Sequence, residues 1–316
     1  MSGLRIGILD DYQDVASSLA DWSSLSAEIE VFTAPFAGAD EVVERLADFD
    51  VLVAMRERTR FPADVLSRLQ HLKLLVSTGP ANAAIDVKAA RELGIAVCGT
   101  GYFSYPTAEF TWALVLAAAR NLPEQVQSMR DGGWQRGLGT SLQGLTLGVL
   151  GLGNVGKLVA AFARAFGMGV VAWSPNLTPE KAAESEVTAV SKEQLFTDAD
   201  ILSILIVLSE RSRGLVGASE LAMMTPTSRL VNTSRGPIVD EDALVDALRR
   251  RVIACAALDV YETEPLPAEH PLRSLDNALL TPHIAYVSRQ LYTVFYQDAV
   301  EDIAAFIAGS PIRVMD

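Results

Sequence analysis

Three polar residues each close an apolar run in the last third of the chain: Arg235 in VNTSRGPIVD, Glu264 in LDVYETEPL and His283 in LLTPHIA. The runs read as buried strands. Ligands of open α/β sheets lie beyond the carboxyl ends of such strands, so the three side chains can converge on one crevice. Their chemistry is complementary. Oxidising an alcohol to a ketone by loss of hydride needs a base for the hydroxyl proton, and the reverse reaction needs the same group to return it. Histidine serves both directions near neutrality. A neighbouring carboxylate favours the imidazolium and fixes the ring. A guanidinium grips a carboxylate through two parallel hydrogen bonds and polarises the adjacent carbonyl. Taken singly, each residue has a plainer reading as a structural histidine, a surface-pair arginine or a solvated loop acid. His71, in SRLQHLKLL, and His270, in AEHPLRSL, keep that plainer reading, one at a helix end and the other in a proline-flanked loop.

Hydride needs a carrier, and LTLGVLGLGNVGKLVAAFARAFG provides a place for one. It reads as a strand, then a G-x-G-x-x-G loop of Gly151, Gly153, Asn154, Val155 and Gly156, then an amphipathic helix. In such a loop the first glycine permits the tight turn and the second lets backbone approach a pyrophosphate. The third allows close helix–strand packing, and the helix N-terminus offers N–H groups to the anion. A strand before and a helix after are the context a short glycine motif requires. The loop points to a dinucleotide. The next strand ends at VVAWS, which puts Ser174 where a carboxylate ordinarily holds the adenosine ribose. Serine can hydrogen-bond that ribose but repels no 2′-phosphate. Pro175, Asn176, Leu177 and Thr178 offer NADP no cation, and Lys181 is the nearest one. The reading favours NAD and leaves NADP, or use of both, open.

The elements that must position these residues alternate strand and helix in two series. LRIGILD, DVLVAM, LKLLVST and IAVCGT read as parallel strands of the first, with ADEVVERLADF and AIDVKAARELG among its helices. PTAEFTWALVLAAARN, from Pro106 to Asn121, reads as a long apolar helix with proline in its first turn. After the glycine-rich DGGWQRGLGTSLQG, the second series holds LTLGVLGLG, GVVAW, ILSILIVL, RLVNTS, ACAALDV and NALLTPH. The pattern predicts an α/β chain of two doubly wound parallel-sheet domains. A last helix, Ser288 to Ala308, follows the second series and is expected to cross back to the first domain.

The formal charge of −13 and the absence of a Lys/Arg cluster argue against nucleic acid, whose binding rests on neutralised phosphates. No H-E-x-x-H or C-x-x-C spacing occurs, so no metal is expected. No apolar run approaches the roughly 20 residues of a membrane helix, and the start MSGLRIGILDD lacks a signal peptide's regions. Cys98 and Cys255 lie in small, apolar surroundings and read as reduced thiols, which together with the plain N-terminus suggests a cytoplasmic protein.

The whole constellation resembles the D-isomer-specific 2-hydroxyacid dehydrogenase family, which includes phosphoglycerate dehydrogenases and hydroxypyruvate or glyoxylate reductases. The likeness runs through GLGNVG, NTSRGPIVDEDAL, ALDVYETEPLP, HPLRSLDNALLTPHIA and PTAEFTWALVLAAAR. It implies a discontinuous, flavodoxin-like substrate domain (1–101 and 287–316) and a Rossmann-type dinucleotide domain (102–286), with the site between them and a homodimer formed through the cofactor domains. By motif, Arg235 would bind the substrate carboxylate and carbonyl, His283 would be the acid/base and Glu264 its partner. Asp259, in AALDVY, would meet the nicotinamide carboxamide, and Thr233 would join the cofactor contacts. Backbone amides of Ser77, Thr78 and Gly79 would hold the substrate carboxylate, and Arg56 occupies a position that touches substrate in some members.

Departures from the family pattern accompany the likeness. Ser174 replaces the acid, TGPANAAID differs from the more glycine-rich loop, and Tyr286 stands where a small residue is common and would narrow the pocket. Met55, Tyr102 and Trp134 complete the pocket candidates, Trp134 either packing locally or reaching a neighbouring subunit's site. A length of 316 residues leaves no room for the regulatory domains of longer phosphoglycerate dehydrogenases. The expected function is hydride transfer between a nicotinamide cofactor and a small D-2-hydroxyacid or 2-keto acid. The alternatives are a dinucleotide-sensing corepressor of the same superfamily, or a formate- or phosphite-type dehydrogenase.

Overall fold

A computed structural model describes residues 3–315. The chain forms two compact units: Met1–Phe103 with Val287–Asp316, and Ser104–Tyr286. Every apolar run read as a strand is one, and both sheets are wholly parallel, as the α/β reading requires.

The first unit is built on β1 (Arg5–Ile8), β2 (Glu28–Val31), β3 (Val51–Ala54), β4 (Leu74–Ser77) and β5 (Ala96–Gly99), ordered β2-β1-β3-β4-β5. β3 and β4 are buried along their whole length, which is why VLVA and LLVS carry no polar alternation. β2 was not expected. Its sequence EIEV alternates charge and apolar residues because it lies at an edge with one face open.

The helix Arg289–Ile307 packs on β4 and is capped by Ser288, whose hydroxyl accepts the Leu291 amide at 3.3 Å. Beyond it the tail turns back along β5: the Gly99 amide donates to Arg313 O at 2.9 Å and the Met315 amide to Val97 O at 2.8 Å. Arg313 fastens this tail to the helix. Its Nε donates to Asp302 Oδ1 at 2.9 Å and one terminal nitrogen to Glu301 Oε2 at 3.0 Å. Asp298, on the same helix, accepts the Gly101 amide at 2.7 Å, so the end of β5 is held from two sides.

The second unit holds β6 (Thr146–Leu150), β7 (Gly169–Trp173), β8 (Thr188–Ala189), β9 (Ile201–Ile204), β10 (Arg229–Asn232), β11 (Cys255–Leu258) and β12 (Ala278–Leu280). Their order is β12-β11-β10-β9-β6-β7-β8. The chain winds outward from the β6–β9 pair in both directions, and carboxyl ends at such a reversal open a crevice. The helix Tyr105–Ala119 packs against the helix Asn154–Ala165 and against β10 and β11, which accounts for its near-continuous apolar sequence.

Asp302 is fully buried, and burial pushes its carboxyl up to about 7 from an ordinary 3.8, with Arg313 pulling the other way. Between those values the folded chain keeps a proton that the unfolded chain releases. The contribution to stability is therefore complete below pH 3.8 and lost as pH rises to about 7. Unfolding free energies from urea titrations at pH 5 and pH 8 should fall less in Asp302→Asn than in the wild type. Equal falls would show that Asp302 is not the titrating group.

Candidate active site

The three sequence-predicted catalytic residues follow neighbouring strands of one sheet, since β10, β11 and β12 are adjacent in that order. His283 and Glu264 meet: Nδ1 of the imidazole lies 2.5 Å from Glu264 Oε2, with the side chains 24% and 34% exposed. The other Glu264 oxygen accepts the Tyr261 amide at 2.9 Å, which fixes the carboxylate to its own turn. Nε2 of His283 is left as the nitrogen turned away from the acid.

His283 stands at φ +53°, the left-handed region that costs an L-residue on the order of 1 kcal/mol. Asp259, fully buried, holds it there. Its carboxylate accepts the Thr281 hydroxyl at 2.6 Å and the amides of Ile284 and Ala285 at 2.9 and 2.8 Å, the two peptide groups directly after the histidine. Burial raises the Asp259 carboxyl above its usual range, while these donors and the nearby imidazole oppose the rise. The carboxylate thus spends three of its acceptor positions on the chain. The Tyr261 hydroxyl completes the frame, 2.8 Å from Thr281 O and 3.1 Å from Leu258 O, joining the ends of β11 and β12.

Arg235 is half-buried at the end of β10 and donates from one terminal nitrogen to Ser234 O at 2.7 Å. Gly236, next to it, is pressed against the turn that leads to Glu264: a Cβ there would stand 1.9 Å from the Tyr261 carbonyl carbon. Only glycine fits. Thr233 is buried, with its hydroxyl 2.6 Å from that of Thr111, so this hydroxyl joins strand to helix.

The three glycines of the loop differ in the ways the motif predicts. Gly151 takes φ +104°, and a Cβ on Gly156 would stand 2.3 Å from Gly151 O. A Cβ on Gly153 would meet nothing within 4 Å, leaving open space in front of the backbone that precedes the helix Asn154–Ala165. Gly153 and Asn154 are exposed and Val155 half-buried, so this end of the helix is available to an anion. The Gly151 amide donates to Trp173 O at 3.0 Å, which sets the half-buried Ser174 beside the loop. Among the described residues no cluster of His, Cys, Asp and Glu could hold a metal, and no helix is long and apolar enough to cross a membrane.

In the first unit Arg56 meets the turn that was expected to bind a carboxylate. One terminal nitrogen donates to Thr78 O at 2.9 Å, the guanidinium lies 5.4 Å over the Tyr102 ring, and Asn82 holds both Arg56 O and Ser77 Oγ. The turn amides are already committed: Thr78 N donates to Ala54 O and Gly79 N to Thr100 Oγ1. Ser77 is buried in β4. These bonds correct the expectation that the amides of this turn are freely offered to a substrate. Met55 is a core residue, whereas Trp134 is 70% exposed. Tyr286 is buried edge-on to His283, ring centroids 5.7 Å apart, so it touches the imidazole itself.

Residues 112–285 match the family model of the D-isomer specific 2-hydroxyacid dehydrogenase, NAD binding domain. A glyoxylate reductase of Aeropyrum pernix is 42% identical over 79% of this chain and 78% of its own length. The chain belongs to the D-isomer-specific 2-hydroxyacid dehydrogenase family. A hydroxypyruvate reductase of Thermotoga maritima is 37% identical over 81% of this chain and 84% of its own. The crystal structure of a phosphoglycerate oxidoreductase from Vibrio cholerae superposes with a TM-score of 0.93 at 37% identity, covering 97% of this chain and all of that one. The chain spans about half the length of the curated phosphoglycerate dehydrogenases it matches. Family membership makes it an NAD-dependent oxidoreductase of the 2-hydroxyacid class, with NAD(H) carried by the second unit.

Sequence reasoning gave His270 a structural place in a proline-flanked loop and passed over Glu241, which the structure pairs with it at 3.0 Å beside the Glu264 turn. The signal for Glu241 was its place as the acid that opens a helix, a position that many helices fill for their own dipole. Gly236→Ala should lower stability by about 2 kcal/mol or more, read by urea unfolding, because backbone must move to admit the methyl group. A variant as stable as wild type would contradict this packing.

Proposed function

We propose that the protein interconverts a small 2-keto acid and its D-2-hydroxyacid, with His283 as acid/base, Glu264 as its partner and Arg235 as the substrate anchor. The observation that carries this reading is the Nδ1–Glu264 contact of 2.5 Å, placed one strand from Arg235 and in the same unit as the glycine loop. With Nδ1 committed to the acid, Nε2 gives its proton to the carbonyl oxygen in reduction and recovers it in oxidation. The open backbone at Gly153 and Asn154 would hold the pyrophosphate of a nicotinamide dinucleotide and Ser174 its adenosine ribose, and the dinucleotide would supply or accept the hydride when bound. Arg235 grips the substrate carboxylate and polarises its carbonyl. Tyr286, beside the imidazole, limits the bulk of the substrate side chain. The names of the reductases of similar length favour glyoxylate or hydroxypyruvate as the first substrates to assay.

We take the first unit as the substrate domain, where the Arg56 guanidinium is held in place by Thr78 and Tyr102. A homodimer through the cofactor domain is supported by an exposed apolar stripe. Leu122, Val126 and Met129 share one face of the helix Leu122–Arg130, and Trp134 and Leu138 are exposed nearby in sequence. Two unpaired thiols, Cys98 and Cys255, suit the reducing cytoplasm.

Reduction of a panel of 2-keto acids, followed by loss of NADH absorbance, tests the reading directly; no turnover on any of them would overturn it. His283→Ala should lower kcat at least about 10²-fold with little change in NADH affinity. Arg235→Ala should weaken keto-acid binding and turnover together, and an unimpaired Arg235→Ala enzyme would remove that residue from the mechanism. Initial rates should favour NADH, and Ser174→Asp should sharpen that preference by repelling the 2′-phosphate of NADPH. A hundredfold preference of the wild type for NADPH would refute the cofactor assignment.

A further inference from the structure

His270 has a defined tautomer and a half-buried partner. Its Nδ1 accepts the Leu272 amide at 3.3 Å, capping the short helix Pro271–Ser274, so the ring proton belongs on Nε2. Nε2 lies 3.0 Å from Glu241 Oε1, and the two side chains are only 18% and 21% exposed. The other oxygen of Glu241 accepts the Glu262 amide at 3.2 Å. Glu241 opens the helix Glu241–Arg249, six residues beyond Arg235, while Glu262 stands two residues before Glu264. One carboxylate therefore ties the connection that carries the guanidinium to the turn that carries the acid. Arg273 closes the rest of the loop on itself by donating to Leu266 O and Pro267 O at 2.7 and 2.8 Å, so Glu241 adds a polar link to the neighbouring strand connection beside the Gly236–Tyr261 packing and the Arg213–Glu262 pair.

We propose that Glu241 and His270 are a positioning pair that holds Glu264 against His283. Neither side chain touches the reacting atoms. His270 fixes the Glu241 carboxylate through Nε2–H, the carboxylate fixes the Glu262 amide, and that amide sets where the Tyr261–Glu264 turn presents its acid. The proposal rests on the reading of His283 and Glu264 given above, but its structural content can be measured without turnover.

The chain has three histidines, His71, His270 and His283, so the ring signals of the His283 imidazole can be followed by NMR in the full-length protein. The titratable groups facing it are Glu264 and Asp259, with Tyr286 edge-on. In His270→Asn an acceptor remains near Nδ1 but no donor reaches Glu241; in His270→Gln the side-chain amide reaches the place of Nε2. His270→Asn should move the His283 ring signals away from their wild-type positions at fixed pH, because Nδ1 loses part of its contact with Glu264. Glu241→Ala should do the same, and His270→Gln should restore the wild-type signals. In parallel, kcat for keto-acid reduction should fall roughly tenfold in His270→Asn with the KM for NADH unchanged. A merely structural role would lower the melting temperature and leave the His283 ring signals in place, and that result would overturn the proposal. If Glu241→Ala does not fold, the two His270 variants decide. Failure of the wild type on every keto acid would refute the proposed function, and the His283 ring signals would still decide the positioning.

Discussion

The second unit is organised around the hold that two carboxylates keep on one histidine. Glu264 engages the ring of His283, and Asp259 engages the peptide groups that follow it. The two acids divide the work by burial. Asp259 is sealed from solvent and spends both oxygens on the chain, whereas Glu264 keeps partial exposure and spends one on the imidazole. A left-handed histidine backbone is unfavourable alone, and the Asp259 hydrogen bonds offset that cost locally. The ring and its backbone are both fixed, which is what a proton transfer over a short distance demands.

The fold brings these groups together through strand order. Residues scattered from 235 to 283 become neighbours because β10, β11 and β12 lie side by side and all run the same way, so their carboxyl ends share one edge of the sheet. Close approach of the connections then requires the absence of a side chain at Gly236. Along the same edge β6 delivers the glycine loop, whose middle residue leaves backbone bare while its flanking glycines relieve packing.

The first unit solves a different problem. Its sheet edge at β5 is covered by the returning tail, and Arg313 joins that tail to three acids of the last helix. A single guanidinium cannot satisfy all of them, and Asp302, walled from water, retains affinity for a proton as a result. The turn after β4 is likewise tied down by its own neighbours. Order there comes from internal hydrogen bonds that a sequence gives little sign of, since Thr100 and Asn82 lie 21 and 5 residues from their partners.

The amino-acid sequence by itself determined the strands, the parallel α/β class and the glycine loop, and it marked Arg235, Glu264 and His283 as candidates, because apolar runs and turn glycines are local signals that need no partner to be read. It did not show the edge strand β2, whose alternating EIEV carries too little apolar length. It also gave no sign of the bonds that hold Asp259 and Thr233 within the chain, or that the Thr78 and Gly79 amides already have acceptors there. Whether a polar group faces a ligand or a neighbour depends on which strands become adjacent and how closely their connections pack. Only the tertiary structure decides that, and it is why the His283–Glu264 contact was an expectation from residue types while the Glu241–His270 pair was invisible until the loops were folded together.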